Sequence, residues 1–300
     1  MEYLEYYYQM INIDHIKNQD LYTNHRKALD FLNTIEYSNY KFPEMTNFHV
    51  YSEIKNPMEL LVIKSYLVTQ NLKKTNLTLW SDYDISNNPL LKPYLNYITL
   101  KVYDPLAEGK DTVLEGKECL AARGIFSYQQ SDIFRILILK KYGGIFVDMD
   151  IIFLRNMLPF LDQEFMYMWG RYTEKFEICA TVLSLFKNSE LANLLLEEAS
   201  KIPLKPYGDR LWYACYLYDI VYKKHPFNIL PAAFFDTEWQ IENFHFDPFA
   251  PMPENTLYTE AFTWHWHNGG GRRQGIPQQN SKIQILNQII DQALLAKNII

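Results

Sequence analysis

The run of residues 141–150, KYGGIFVDMD, constrains the fold more than any other part of this chain. Two glycines end a predicted apolar helix, and residues 144–153 follow as a predicted strand, in which three apolar residues come directly before Asp148 and Asp150. A continuous apolar run is typical of a strand that is covered on both faces, as in a parallel sheet. Because ligands of open α/β sheets bind beyond the carboxyl ends of the strands, this pattern predicts a binding site at the two aspartates.

Strand and helix patterns alternate upstream of this run. Residues 47–52 and 77–82 have the pattern of strands, a helix is predicted between them over 57–70, and 97–103 form a third predicted strand. Asn56 is a typical N-cap for that helix. This order predicts an α/β fold with a mostly parallel central sheet flanked by helices.

The domain organisation follows from length and composition. The 300 residues are enough for one large domain, and the sequence has no internal repeat and no linker rich in Gly or Ser. We therefore expect a single domain over 1–300. Residues 1–40 are polar and aromatic and predict a helical N-terminal appendage, and 281–300 carry apolar side chains at the spacing of a C-terminal packing helix.

Charge and cysteine content exclude several classes of function. The net charge of −6 argues against a nucleic-acid partner, since such proteins use basic surfaces. No apolar run is long enough for an integral membrane segment, and the N-terminus lacks the basic region of a signal peptide. Cys119, Cys179 and Cys215 have no metal-ligand spacing, so we expect reduced thiols and a cytoplasmic location.

The spacing of Asp148 and Asp150 points to a cation. On an extended strand, residues i and i+2 face the same side, so both carboxylates could meet one ligand. Two close carboxylates repel each other and favour a cation beside them. Oxygen ligands suit Mg²⁺ or Mn²⁺, which are often shared with substrate phosphates. The alternative is that one aspartate caps a turn and the other is solvated.

A second pair of charges precedes the glycines. Asp132 and Arg135 are i and i+3 on the predicted helix and therefore share a face. The helix is apolar almost all round from 133 to 139, which predicts that it is buried. A buried ion pair is a reason to expect a polar ligand nearby. The alternative is an ordinary ion pair on the helix surface.

Residues 127–153, SYQQSDIFRILILKKYGGIFVDMDIIF, resemble the signature of the DXD sugar transferases. These are the enzymes of glycosyltransferase family 32, which is related to yeast-type mannosyltransferases, bacterial capsule enzymes and the large clostridial glucosylating toxins. The signature S-D-x-x-R-x-x-x-L-x-x-x-G-G-x-Y-x-D-x-D is matched, except that Phe146 stands where Tyr is usual. Weaker similarity covers a first strand that ends in Tyr51, where the family usually has Trp, and the segment TWHWHNGGGR at 263–272.

This resemblance implies a GT-A fold and a metal-dependent, retaining transfer of a hexose. The donor would be a nucleoside-diphosphate sugar, with UDP as the favoured carrier, and the acceptor a carbohydrate or glycoprotein. Asp150 would bind Mn²⁺ (or Mg²⁺) directly, and Asp148 would contact the sugar, the ribose or the ion. Asp132 and Arg135 would hold the donor sugar and the phosphates. The implied catalytic residues are Asp132, Arg135 and Asp148; the implied donor-binding residues are Val50, Tyr51, Asp132, Arg135, Asp148, Met149 and Arg272; and the implied metal ligands are Asp148, Asp150 and His265.

The C-terminal segment adds candidate ligands to this site. His265 aligns with the family's metal ligand, and His267 would share its face if the segment is extended. Imidazole suits Mn²⁺ better than Mg²⁺. The three glycines that follow predict a loop that approaches phosphates closely and closes over the diphosphate, with Arg272 or Arg273 near the leaving group. The alternative is a surface loop with solvated histidines.

Two other functions fit parts of the pattern. A DxD phosphohydrolase also places the pair after an apolar strand, but it needs the pair near the start of the chain and Thr or Val where Ile152 stands. A non-catalytic nucleotide-sugar-binding protein on the same fold would fit the closing segment, in which Gly270 and Gly271 stand where the family usually has Ser-Trp. Turnover of a donor sugar distinguishes a transferase from both.

Overall fold

The computed structural model describes residues 21, 24–121, 127–168, 178–201, 217–218, 220–238, 247–252, 257–268 and 276–300. The named strands are β1 (Thr46–Tyr51), β2 (Thr75–Ser81), β3 (Thr99–Val102), β4 (Gly144–Val147), β5 (Ile151–Phe153), β6 (Phe165–Met168), β7 (Ile178–Leu185), β8 (Asn228–Leu230) and β9 (Thr263–His265). The named α-helices are α1 (His25–Leu32), α2 (Leu61–Thr69), α3 (Pro105–Gly109), α4 (Glu118–Ala121), α5 (Ser127–Tyr142), α6 (Glu190–Ala199) and α7 (Lys282–Ala296). Short 3₁₀ turns lie at Tyr37–Asn39, Pro57–Leu60, Lys92–Tyr94, Leu158–Phe160 and Ala232–Phe234.

A seven-stranded sheet in the order β3-β2-β1-β4-β7-β6-β8 forms the centre of the molecule. β1 is parallel to both β2 and β4, and β3 and β8 also pair in parallel with their neighbours. Only β7 runs antiparallel to the strands on either side of it. The predicted fold class, a mostly parallel central sheet flanked by helices, is confirmed. A separate ribbon of β5 and β9 lies beside this sheet.

The predicted helix over 57–70 is confirmed, with its first turn wound as a 3₁₀ helix before α2 begins. Asn56 caps it as expected, because its side chain accepts from the backbone N–H groups of Met58 and Glu59. Most of α2 is buried, and it lies against β5 on one side and α7 on the other.

The helix α5 ends where the two glycines begin. Gly143 has φ +68° and its N–H donates to Leu139 O at 2.7 Å, so it is the predicted left-handed residue that stops the helix. His49 on β1 holds this turn: its Nε2–H donates to Gly143 O at 3.1 Å, while its Nδ1 accepts from the Trp80 indole at 3.2 Å. Burial lowers the pKa of His49 to about 4, so the imidazole is neutral in this role.

Gly144 allows β4 to approach the start of β1. Its φ is +110°, and a Cβ at this position would lie 2.0 Å from the backbone oxygen of Asn47. A backbone atom on a paired strand cannot move aside without disturbing the sheet. The second glycine is therefore required by close approach as well as by its backbone conformation.

We expect Gly144→Ala to destabilise the protein much more than Gly116→Ala. Gly116 also has a positive φ, +71°, but a Cβ there would meet nothing within 4 Å. The Gly116 variant therefore reports the backbone strain alone, about 1–2 kcal/mol, and the Gly144 variant adds about 1–3 kcal/mol of overpacking. Urea unfolding of both variants measures the difference. Equal losses would show that the contact with Asn47 does not restrict this position.

The C-terminal residues form a helix with one apolar face, as the sequence predicts. Ile283, Leu286, Ile290 and Leu294 of α7 are buried, whereas Ile289 is 49% exposed. No helix among the described residues is long and apolar enough to cross a membrane.

Candidate active site

The DxD sequence lies in a turn between two sheets. The prediction that residues 144–153 form one strand, with both carboxylates on the same face, is wrong: β4 ends at Val147 and β5 begins at Ile151. The chain turns at this point, with Ile151 N–H donating to Asp148 O at 3.1 Å, because β5 leaves the central sheet to pair with β9. Asp148 and Asp150 consequently have different partners.

Asp148 joins the charge pair of helix α5. Arg135 lies 3.1 Å from Asp132 and 3.3 Å from Asp148, and both Asp132 and Arg135 are buried, as the apolar surroundings of the pair predict. The guanidinium also donates to Ala180 O on β7 at 2.7 Å. Burial opposes the charge of Arg135, but Asp148 and Asp132 keep its pKa above the ordinary value. Burial raises the pKa of Asp148 despite the attraction of Arg135, and the nearby charge of Asp150 adds to the rise.

Asp150 meets the C-terminal segment instead. Its Oδ2 accepts from the Asn268 N–H at 2.7 Å, and its Oδ1 lies 3.3 Å from His265 Nε2. The pairing of β5 with β9 produces this contact, since it places His265 opposite Ile151. Burial opposes the charge of Asp150, but His265, with help from His267 and the Asn268 N–H, lowers its pKa to about 2. The structure thus brings together Asp150 and His265, two of the three predicted metal ligands.

Asp236 is a site residue that the sequence analysis did not identify. It is fully buried, its Oδ1 lies 3.0 Å from His267 Nε2, and its Oδ2 lies 3.5 Å from His265 Nδ1. The two imidazole rings stack with centroids 3.8 Å apart. The segment is not extended as far as His267, the condition for it to share the face of His265, because β9 ends at His265 and His267 has φ +50°. Ligand atoms of Asp236, His265 and His267 lie within 4.8 Å of one another.

Nothing in the local sequence marks Asp236. It follows the aromatic stretch AAFF, and it reaches the site because this stretch lies against the start of β9. Phe262 N–H donates to Phe234 O at 2.9 Å, and the Thr263 hydroxyl donates to Phe235 O at 2.9 Å. Only the tertiary pairing of these two segments could have identified it.

A buried ion pair fixes this part of the chain to the C-terminal helix. Glu238, to which the sequence analysis gives no role, pairs with Lys282 at the start of α7 and also accepts from the Trp264 indole N–H. Burial raises the pKa of Glu238 and lowers the pKa of Lys282. Because Glu238 is two residues from Asp236 and Trp264 is one from His265, the pair holds both sides of the histidine cluster.

Tyr51, a predicted donor-binding residue, packs against helix α5. The ring of Tyr51 stacks on Phe134 of α5 with centroids 4.6 Å apart, and its hydroxyl donates to Asp82 at 2.5 Å. Val50, another predicted donor-binding residue, is fully buried in β1. Met149 is half-buried in the DxD turn, where the Asn268 amide approaches its sulfur at 3.6 Å. Arg272, Arg273 and the glycine loop of 269–271 lie outside the described residues.

The donor set fits a divalent cation. A carboxylate oxygen of Asp150 and an imidazole nitrogen of His265 lie 3.3 Å apart, and both are ligand types for divalent metal ions. Asp236 Oδ2 and His265 Nδ1 are buried and make no hydrogen bond within the described part of the chain. Unpaired buried polar atoms are rare in proteins, so these two atoms need an explanation.

Comparison with known families identifies the class of protein. The family described as "Glycosyltransferase sugar-binding region containing DXD motif" matches residues 3–167, which include Asp132, Arg135 and the DxD turn. The chain belongs to this glycosyltransferase family. It is therefore a transferase, and the phosphohydrolase alternative is wrong. No curated protein matches the sequence.

Several solved glycosyltransferase structures are similar to this chain. A structure described as "PaToxG Glycosyltransferase" is 17% identical, with a TM-score of 0.43 over 70% of this chain and 81% of the other. An active-site mutant of LgtC is 11% identical, with a TM-score of 0.46 over 82% of this chain and 96% of the other. The bifunctional WbbM is 10% identical, with a TM-score of 0.47 over 86% of this chain, which spans about half (51%) of WbbM. These likenesses are too distant to transfer a substrate or a mechanism.

Proposed function

We propose that this glycosyltransferase is a metal-dependent, retaining hexosyltransferase that uses a nucleoside-diphosphate sugar, with UDP as the favoured carrier. The acceptor would be a carbohydrate or a glycoprotein. The observation that carries the proposal is the convergence of two buried systems on the DxD turn: Arg135 between two carboxylates on one side, and His265 beside Asp150 on the other. Such an arrangement suits a diphosphate, which needs both hydrogen-bond donors and a cation.

The residues divide into roles by the contacts they make. Asp150 and His265 would hold Mn²⁺ or Mg²⁺ between them, since one oxygen and one nitrogen already face each other at 3.3 Å. Asp148 would contact the ribose, the sugar or the ion through water. Asp132 would accept from the sugar hydroxyls, and Arg135, which lies between the two aspartates, would face the phosphate side.

The transfer exchanges one bond at the anomeric carbon for another. The bond from this carbon to the diphosphate oxygen breaks with its electron pair, a bond to the acceptor oxygen forms on the same face, and the acceptor proton is released. When bound, the metal ion stabilises the negative charge that develops on the nucleoside diphosphate. Arg135 can add to this stabilisation because its position is fixed by three partners before the donor arrives.

We also propose a cytoplasmic location, which agrees with Cys119 and Cys179 being free buried thiols.

A screen of nucleotide sugars tests this function. The melting temperature and the release of free sugar are measured for UDP- and GDP-sugars, with and without Mn²⁺. We expect a UDP-sugar to stabilise the protein only with the ion, by about 2.7 kcal/mol at a hundredfold excess over Kd. Equal affinity for the nucleotide sugar with and without Mn²⁺ would contradict the proposed chemistry. Binding without turnover in the presence of acceptors would favour a non-catalytic role.

Tyr51→Ala should weaken nucleotide binding about tenfold or more, whereas Tyr51→Phe should change it little. Tyr51 lies at the end of β1, where the family usually has an aromatic residue, and its ring already takes part in a stack with Phe134. Stacking on an aromatic side chain contributes about 1–3 kcal/mol at nucleic-acid sites. Titration of UDP by calorimetry measures both variants. Equal weakening would show that the hydrogen bond to Asp82, and not the ring, is required.

A further inference from the structure

His265 stands between two carboxylates that come from different parts of the chain. Its Nε2 faces Asp150 at 3.3 Å, and its Nδ1 faces Asp236 at 3.5 Å. The side chain is 8% exposed and the Asp236 side chain 1%, so water does not compete for either contact. A histidine that binds a metal through one nitrogen must carry its proton on the other.

Asp236 is held in place through both its backbone and its side chain. Its backbone N–H donates to Ala232 O at 2.7 Å, closing the end of the 3₁₀ turn. Its Oδ1 accepts a hydrogen bond from His267 Nε2–H at 3.0 Å. The other oxygen, Oδ2, points to His265 Nδ1 and has no hydrogen bond within the described residues. The two unsatisfied atoms, Asp236 Oδ2 and His265 Nδ1, therefore face each other.

The charges of this arrangement are consistent with a metal on the far side of the ring. Leaving a carboxylate oxygen buried and unpaired is unfavourable, so a proton on Nδ1 that shortens the 3.5 Å contact would be stabilised. With the proton of a neutral imidazole on Nδ1, the lone pair of Nε2, the nitrogen beside Asp150, is available to an ion. Carboxylates that accept from a metal-binding histidine in this way orient the ring and increase its basicity.

We propose that Asp236 is the positioning residue of the metal site: it accepts from His265 Nδ1–H and thereby turns Nε2 to the ion beside Asp150. This inference rests on the proposed metal-dependent function. His267 supports Asp236 through the other carboxylate oxygen and does not bind the ion. The competing arrangement is a site in which Asp236, His265 and His267 all ligate the metal, and the experiment separates the two.

The test uses Mn²⁺ bound to the full chain with UDP. Electron spin-echo spectra of ¹⁵N-histidine-labelled protein count the imidazoles on the ion, and titration gives its affinity. We expect one coupled imidazole, which His265→Ala removes and His267→Gln leaves. We expect Asp236→Ala to weaken Mn²⁺ binding about 10–100-fold. With diamagnetic Mg²⁺, the ¹⁵N spectrum should show His265 protonated on Nδ1 in the wild type and a mixture of tautomers in Asp236→Ala.

Glu260→Gln is the matched control. It removes one negative charge from the segment before β9, where Glu260 pairs with the exposed Arg26 at 3.0 Å, and it should leave affinity and tautomer unchanged. Asp236→Asn retains an acceptor for Nδ1–H and should keep the wild-type tautomer. Two coupled imidazoles, or an unchanged tautomer and affinity in Asp236→Ala, would overturn the positioning role. A wild-type protein that binds no Mn²⁺ with UDP would instead overturn the proposed function, and the inference with it.

Discussion

The Asp150→Asn variant is expected to lose metal-dependent donor binding and to transfer sugar at least about 10²-fold more slowly, the scale of one lost charge-stabilising contact. Asp150 is the DxD carboxylate that faces His265, so its neutralisation removes the charge that attracts the ion. The amide oxygen of asparagine can still accept from the Asn268 N–H, which the wild-type carboxylate holds at 2.7 Å. Calorimetric titration of the donor with and without Mn²⁺, together with turnover, measures the effect.

Asp104→Asn provides the control for this variant. Asp104 caps α3 by accepting from the N–H groups of Leu106 and Ala107, and asparagine is an equally good cap, so stability and activity should be retained. Asp150→Ala should lose activity to the same extent and also some stability, because the Asn268 N–H is left without its acceptor. Unchanged Mn²⁺-dependent donor affinity in either Asp150 variant would refute its role as a ligand.

Arg135→Met should lower the free energy of unfolding by about 3–5 kcal/mol, the usual effect of removing one partner from a buried ion pair. The variant leaves Asp132 and Asp148 close together without their cation and removes the donor to Ala180 O. Methionine is unbranched and flexible, so it can pack against Phe146, over which the guanidinium lies, and keep the space left by the substitution small. The loss would therefore come from charge rather than from a cavity. Urea unfolding at neutral pH measures it.

The comparison for Arg135 is Arg26→Met. Arg26 also pairs with two carboxylates, Asp30 at 2.6 Å and Glu260 at 3.0 Å, but its side chain is 57% exposed. Ion pairs in water contribute about 0–1 kcal/mol, so this variant should be nearly as stable as the wild type. Similar decreases in the free energy of unfolding for the two variants would mean that burial does not determine how strongly the contacts of Arg135 with Asp132 and Asp148 stabilise the protein.

The elements near the DxD turn could be predicted because local rules determine them. Gly143 ends α5 through its own backbone conformation, and Asn56 caps a helix within three residues of itself. The burial of the Asp132–Arg135 pair follows from the apolar residues of its own helix. Each of these signals is contained in a few consecutive residues.

The features that could not be predicted from the sequence depend on pairing between distant segments of the chain. Residues 144–153 have the pattern of one strand, and the break after Val147 arises only because β9 offers β5 a second partner. Asp236 and Glu238 have no sequence pattern of their own, and their importance comes from His265, His267 and Lys282. Local sequence patterns cannot predict a contact with a residue more than twenty positions away.

The ribbon of β5 and β9 has a consequence for how such an enzyme can diverge. Its three residue pairs, from Ile151 with His265 to Phe153 with Thr263, fix the imidazole next to Asp150 by backbone geometry alone. A slip of one position would place a Trp opposite Ile151 and turn the imidazole to the opposite face. The loops that join the elements between β5 and β9 can therefore change in length and sequence while Asp150 and His265 stay together. Recognition of new acceptors can evolve around a chemical centre that stays constant.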